Sequence, residues 1–131
     1  MIGLINGFAI QFTVGPNLSA TGQFEYYASW MDLNGAGPPV GCTNGTNTVA
    51  SSTTVLTPPV LGPLEALEIT EITIWNNDTV PNLVYISIQP PVAGFIIYQA
   101  VLPPQYFLRY NKTAGVEGTW QICEPFGSSK Q

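Results

Sequence analysis

The sequence predicts an all-β fold: an antiparallel β-sandwich, jelly-roll-like, of seven or eight short strands joined by long Gly/Pro/Asn-rich loops. Three observations predict it. Short runs of β-branched and aromatic residues recur, several in strict alternation. Turn residues interrupt them about every ten positions, a spacing of sandwiches and barrels rather than of alternating strand–helix units. With 13 glycines and 12 prolines, no long uninterrupted helix fits. The 131 residues suit one domain spanning 1–131, and a hydrophobic share of 45% supplies its core. Residues 1–7 read as an extended arm or as an edge strand of the domain.

The elements follow in order. Phe8 to Val14 alternates, with Phe8, Ile10, Phe12 and Val14 on one face, and Gly15-Pro16-Asn17 ends it. Phe24 to Met31 places Phe24, Tyr26, Ala28 and Trp30 on one face and Tyr27 on the other. Asn34 to Asn47 reads as a loop, and Thr48 to Leu56 is β-branched enough for a strand. Pro63 to Glu68, with proline first and acids early, allows one helical turn at most. Glu68 to Trp75 is the clearest strand: Thr70, Ile72 and Ile74 oppose Ile69, Glu71, Thr73 and Trp75. The turn Asn76-Asn77-Asp78 follows. Leu83 to Gln89, Phe95 to Leu102, Gln105 to Asn111 and Thr119 to Cys123 complete the set. The connections are too short for crossover helices, so pairing is antiparallel. Prolines at strand ends guard edges that few charges protect.

The composition excludes much chemistry. There are 3 basic and 8 acidic residues and no histidine, giving a net charge of −5. No Lys/Arg cluster exists to neutralise phosphates or an anionic bilayer, so neither nucleic acid nor membrane is an expected partner. No apolar run approaches the roughly 20 residues of a membrane span. The N-terminus lacks a basic region before its apolar residues, so it reads as a strand of a cytoplasmically synthesised chain rather than a signal peptide. Without histidine no Ser-His-Asp or Cys-His arrangement is available, and neither phosphate-cradling glycine motif is present. Glu65, Glu68 and Glu71 would align on a helix, but on a strand Glu68 and Glu71 point to opposite faces, and no carboxylate pair is fixed for acid–base work. Asp32-Leu33-Asn34 and Asn76-Asn77-Asp78 read as Asx-turn chemistry rather than calcium ligands. No catalytic residue, metal ligand or cofactor is therefore expected. Cys42 and Cys123 could form one long-loop disulfide or stay as two thiols. The sequons at Asn17, Asn44, Asn77 and Asn111 arise readily in a chain so rich in Asn and Thr.

Aromatic residues are the remaining means of recognition. Phe24, Tyr26, Tyr27 and Trp30 cluster in one strand, where one face reads as core and the other as interface. Trp75 and Trp120 read as core. Candidate contact residues are Ile2, Leu4 and Phe8 near the N-terminus and Tyr26, Tyr27 and Trp30 in the aromatic strand. A surface this poor in charge loses little desolvation energy against a partner, so the chain reads as a module held by its neighbours.

Two segments carry a resemblance. Ile74-Trp75-Asn76-Asn77-Asp78 and Ala100-Val101-Leu102-Pro103, within Glu68 to Asn111, look like the strand, asparagine-rich turn, strand and Leu-Pro corner of small β-sandwich virion proteins of tailed bacteriophages. The resemblance includes head decoration (cement) proteins. It implies a non-enzymatic homotrimer on the outer capsid surface that bridges major capsid subunits. The alternative is a carbohydrate- or receptor-binding sandwich of a tail fibre or secreted protein, using the same aromatics as a platform.

Overall fold

The computed structural model describes residues 2–5, 7–32, 41–58, 61, 66–89, 96–112 and 118–125. Among them are ten strands: β1 (Gly3–Ile5), β2 (Ala9–Val14), β3 (Gln23–Asp32), β4 (Gly41–Asn47), β5 (Thr53–Leu56), β6 (Ala66–Asn77), β7 (Asn82–Gln89), β8 (Ile96–Leu102), β9 (Phe107–Asn111) and β10 (Thr119–Cys123). The six-stranded sheet runs β10-β9-β6-β3-β4, with β1 also on β6, and the four-stranded sheet runs β5-β2-β7-β8. Every pairing is antiparallel. The fold is the expected antiparallel sandwich; residues 3–5 take the edge-strand alternative as β1 along β6, and β4 is a strand the sequence does not suggest.

The alternating apolar residues explain why the sheets pack. Ile10, Phe12 and Val14 of β2, with Val84 and Ile86 of β7, form one inner face. Phe24, Ala28 and Trp30 of β3 and Ile69, Ile72 and Ile74 of β6 form the other, and all of these are fully buried. Each such side chain stabilises the fold by about 1.5–3 kcal/mol through removal from water. Phe12 meets Tyr26 edge to face at 5.4 Å, tying β2 to β3. At the far side Tyr98 of β8 stacks on Trp120 of β10 at 4.7 Å. That pair joins an edge strand of each sheet, so the sandwich closes there with aromatic rings.

Three sequence expectations are corrected. First, the faces of β6 change at Thr70. Ser29 pairs with Glu71 and Trp30 with Ile69, which leaves Thr70 as the extra residue of a bulge. The bulge turns Ile69 and Leu67 inward with Ile72 and Ile74, whereas strict alternation opposes Ile69 to Ile72. The Thr70 and Ser29 hydroxyls lie 2.8 Å apart, and the Lys112 N–H donates to the Thr70 carbonyl. Second, part of the Asn34-to-Asn47 loop is strand, because 41–47 pairs along β3 from Trp30–Gly41 to Phe24–Asn47. Third, Ala66 to Glu68 is strand rather than helical turn, and 62–65 lie outside the described residues. Leu33, Asn34 and the first glycines of the loop also lie outside them.

The corner between β6 and β7 is a buried polar plug. The Asn76 side-chain amide donates to the Val80, Leu102 and Pro103 carbonyls, at 3.0–3.2 Å. The Asn82 amide donates to Asn76 Oδ1 and to Asp78 Oδ2, each at 3.0 Å. Asp78 also accepts from the Ser19 hydroxyl at 2.6 Å, the Ser19 N–H at 2.9 Å and the Thr79 N–H at 2.7 Å. Burial opposes ionisation of Asp78, but these donors outweigh it and hold the carboxyl at about 2. With donors on both oxygens, Asp78 acts as a structural acceptor.

Candidate functional site: two unlike outer faces

The registers lay the outward side chains of the six-stranded sheet out in rows. Glu25, Trp75, Phe107 and Cys123 form one row across β3, β6, β9 and β10. Tyr27, Thr73, Arg109 and Gln121 form the next, and Ser29, Glu71, Asn111 and Thr119 the third. The small Thr73 therefore sits among Tyr27, Trp75, Phe107 and Arg109. Trp75 and Phe107 stack at 5.6 Å with their planes 11° apart, and the indole N–H of Trp75 donates to the Gln105 carbonyl at 2.9 Å. The pair is thus a fixed aromatic ridge rather than two loose rings.

Shallow troughs flank this ridge. On the β3 side one of about 220 Å³ is lined by Glu25, Tyr26, Tyr27, Thr73, Trp75 and Phe107. On the β10 side one of about 340 Å³ is lined by Glu71, Thr73, Phe107, Arg109, Cys123 and Glu124. Glu71 Oε2 accepts from the Thr73 hydroxyl at 3.1 Å and lies 3.7 Å from the Arg109 guanidinium. Glu25 lies four residues along the sheet from the level of Glu71, about 14 Å away at strand spacing.

The outer face of the four-stranded sheet is chemically different. Gln11 and Thr13 of β2 pair with Ser87 and Tyr85 of β7, and Tyr85 and Leu83 pair with Gln99 and Val101 of β8. Val55 and Thr53 of β5 continue the face. None of these residues is Asp, Glu, Lys or Arg. Val101 is 58% exposed and Ile96, beside Ser87, is 47% exposed.

The residues singled out from sequence separate into three groups. Leu4 and Trp30 are core: Leu4 is 2% exposed and Trp30 is fully buried, since Trp30 shares the inner face of β3 with Phe24 and Ala28. Tyr26 also points inward, against Phe12, and Ile2 packs partly buried on the core. Tyr27 stands on the outer aromatic face, and Phe8, 37% exposed, lines an apolar depression with Gly3, Leu4 and Ile88. Residues Gly3–Ile5 pair with Ala66–Glu68 of the same chain. Trp75, expected in the core, instead forms the outer ridge. No sequence signal linked it to Phe107, because the two meet only through the β6–β9 register.

Cys42 and Cys123 are free thiols on β4 and β10, the opposite edges of one sheet. Four strand spacings across the sheet, and four residues along it because Cys42 is level with Thr119, place them more than about 20 Å apart, far beyond the reach of a disulfide. Glu68 is buried with Lys112, at 3.4 Å, and so is absent from the outer face. Among the described residues no group of three or more His, Cys, Asp or Glu could hold a metal ion. Comparison with protein-family models, with curated proteins and with solved structures finds no match.

Proposed function

We propose that the chain is a non-catalytic structural protein of a tailed-phage particle, a decoration (cement) protein that assembles as a homotrimer and bridges major capsid subunits on the outer head surface. The observation that carries this reading is the uncharged outer face of the four-stranded sheet. A patch of Thr, Gln, Ser, Tyr, Leu and Val buries against protein without stranding an ionised group. Its open apolar side chains, Val101 and Ile96, lie at the β8 edge, where contact with a neighbour gains most. Repetition of modest contacts by symmetry gives firm attachment without a deep pocket. The resemblance of residues 68–111 to virion sandwich proteins supports the same reading.

The test is light scattering of the size-fractionated protein, alone and mixed with phage heads that lack it. A trimer that co-elutes with heads is the expected result. A monomer that ignores them overturns the proposal.

A further inference from the structure

We propose that the outer face of the six-stranded sheet is a binding platform for a neutral oligosaccharide, with the Trp75–Phe107 ridge and Tyr27 as its stacking surfaces. The inference concerns the face opposite the one argued to hold the particle, and it does not rest on that reading.

Three features select this ligand class. The rings are rigid: Trp75 is fixed by its stack on Phe107 and by the hydrogen bond to the Gln105 carbonyl. Fixed aromatic faces suit the flat C–H faces of sugar rings, because little side-chain freedom is lost on contact. Groups that pair with hydroxyls border the rings: Glu25 at one trough, Arg109 and Glu71 at the other. Thr73 and Arg109 both engage Glu71 Oε2, which presets the carboxylate, and a carboxylate offers about four acceptor sites in all.

Peptide capture by strand addition is unavailable here, since β3, β6 and β9 each have a hydrogen-bonded neighbour on both sides. The charge balance selects further. The troughs are lined by three acids, Glu25, Glu71 and Glu124, against one base, Arg109. Sulfated, phosphorylated or carboxylated glycans are therefore disfavoured, and neutral chains are favoured. The troughs, about 220 and 340 Å³, lie around or below the lower limit of small-molecule clefts, about 300 Å³. Single-site binding is then weak, and several copies are needed for useful avidity.

The test is affinity electrophoresis of the whole chain through gels containing dextran, mannan, galactan or soluble N-acetylglucosamine oligomers, with dextran sulfate as the acidic control. At least one neutral polysaccharide is expected to retard the protein, and dextran sulfate is not. Tyr27→Ala and Phe107→Ala should each weaken retardation roughly tenfold, the worth of one ring contact. Tyr85→Ala, on the other sheet, should leave it unchanged, and circular dichroism verifies that each variant is folded. Should Phe107→Ala fail to fold, Tyr27→Ala alone decides. No retardation by any neutral polysaccharide, retardation unaffected by Tyr27→Ala, or preference for dextran sulfate would each overturn the proposal. Head binding is measured separately, so loss of one property leaves the other standing.

Discussion

Asp78 accepts two hydrogen bonds from a single residue, Ser19: one from its hydroxyl at 2.6 Å and one from its backbone N–H at 2.9 Å. Ser19 lies in the segment that carries the chain from β2 to β3, and Asp78 begins the turn from β6 to β7. Both segments pass between the two sheets, so this contact pins one end of the sandwich. Gly22 packs beside it, where a Cβ would lie 2.5 Å from the Asp78 carboxyl carbon. A side chain at position 22 would push the carboxylate off its donors.

The depressed Asp78 pKa makes stability depend on acid. The unfolded value is 3.8 and the folded value about 2, so the folded state favours the carboxylate. That stabilisation is complete above pH 4 and is lost as pH falls through about 2. The shift corresponds to roughly 2 kcal/mol. Denaturant unfolding between pH 6 and pH 2 should show this loss in the wild type. Asp78→Asn should be less stable at pH 6, with a flatter slope below pH 4.

Lys112 and Glu68 form a buried ion pair where β9 ends and β1 begins along β6. Their side chains are 9% and 7% exposed, so removing one partner strands the other charge away from water. Lys112→Met should cost about 3–5 kcal/mol, and adding Glu68→Gln should recover a good part of it. A double-mutant cycle by thermal or urea unfolding reads this coupling.

Tyr110 is buried, and its hydroxyl has no hydrogen-bond partner among the described residues. Burial, reinforced by the charge of Glu68, raises its pKa. Its ring fills the space above Gly118, where a Cβ would lie 2.2 Å from the ring carbon bearing the hydroxyl. Tyr110→Phe should therefore leave stability unchanged or raise it by up to about 1 kcal/mol. Gly118→Ala should destabilise by at least about 1 kcal/mol. Above pH 10 the unfolded chain ionises its tyrosine first, so wild-type stability should fall with rising pH, and Tyr110→Phe should lessen that fall.

The thiols give a chemical check on sheet order. Cys42 and Cys123 lie on opposite edges, so unfolded and refolded protein should titrate two thiols per chain. Reductant should not change the melting temperature. A single intrachain disulfide would contradict the strand order.

Period-two patterns made much of this fold legible. Ile10, Phe12 and Val14 face the core as their alternation predicts, as do Val84 and Ile86, and Leu108 and Tyr110. Legibility failed where the pattern depends on distant residues. The β4 sequence, Gly-Cys-Thr-Asn-Gly-Thr-Asn, carries no apolar row and so gives no strand signal. The structure supplies the reason: Gly45 pairs with Tyr26, and a Cβ there would lie 2.5 Å from the Tyr26 hydroxyl. The Tyr26 ring covers the inner side of β4, so that strand needs no core residue of its own. The Thr70 bulge is similarly silent in sequence, since a threonine between Ile and Glu looks like ordinary strand. The candidate platform was half visible. Tyr27 stood out as opposed to its neighbours, while the Trp75–Phe107 ridge required the β6–β9 register.

Binding of protein neighbours by the uncharged face of the β5-β2-β7-β8 sheet is what the proposed function requires. The most direct measurement is light scattering with head binding for the wild type, for Tyr85→Lys with Val101→Glu, and for Tyr27→Ala on the other sheet. The predicted result is a head-binding trimer for the wild type and Tyr27→Ala, with assembly or attachment lost in the charged double variant while its circular dichroism stays that of a folded sandwich. A charged variant that still assembles and binds heads, or a wild type that stays monomeric and ignores them, would contradict it.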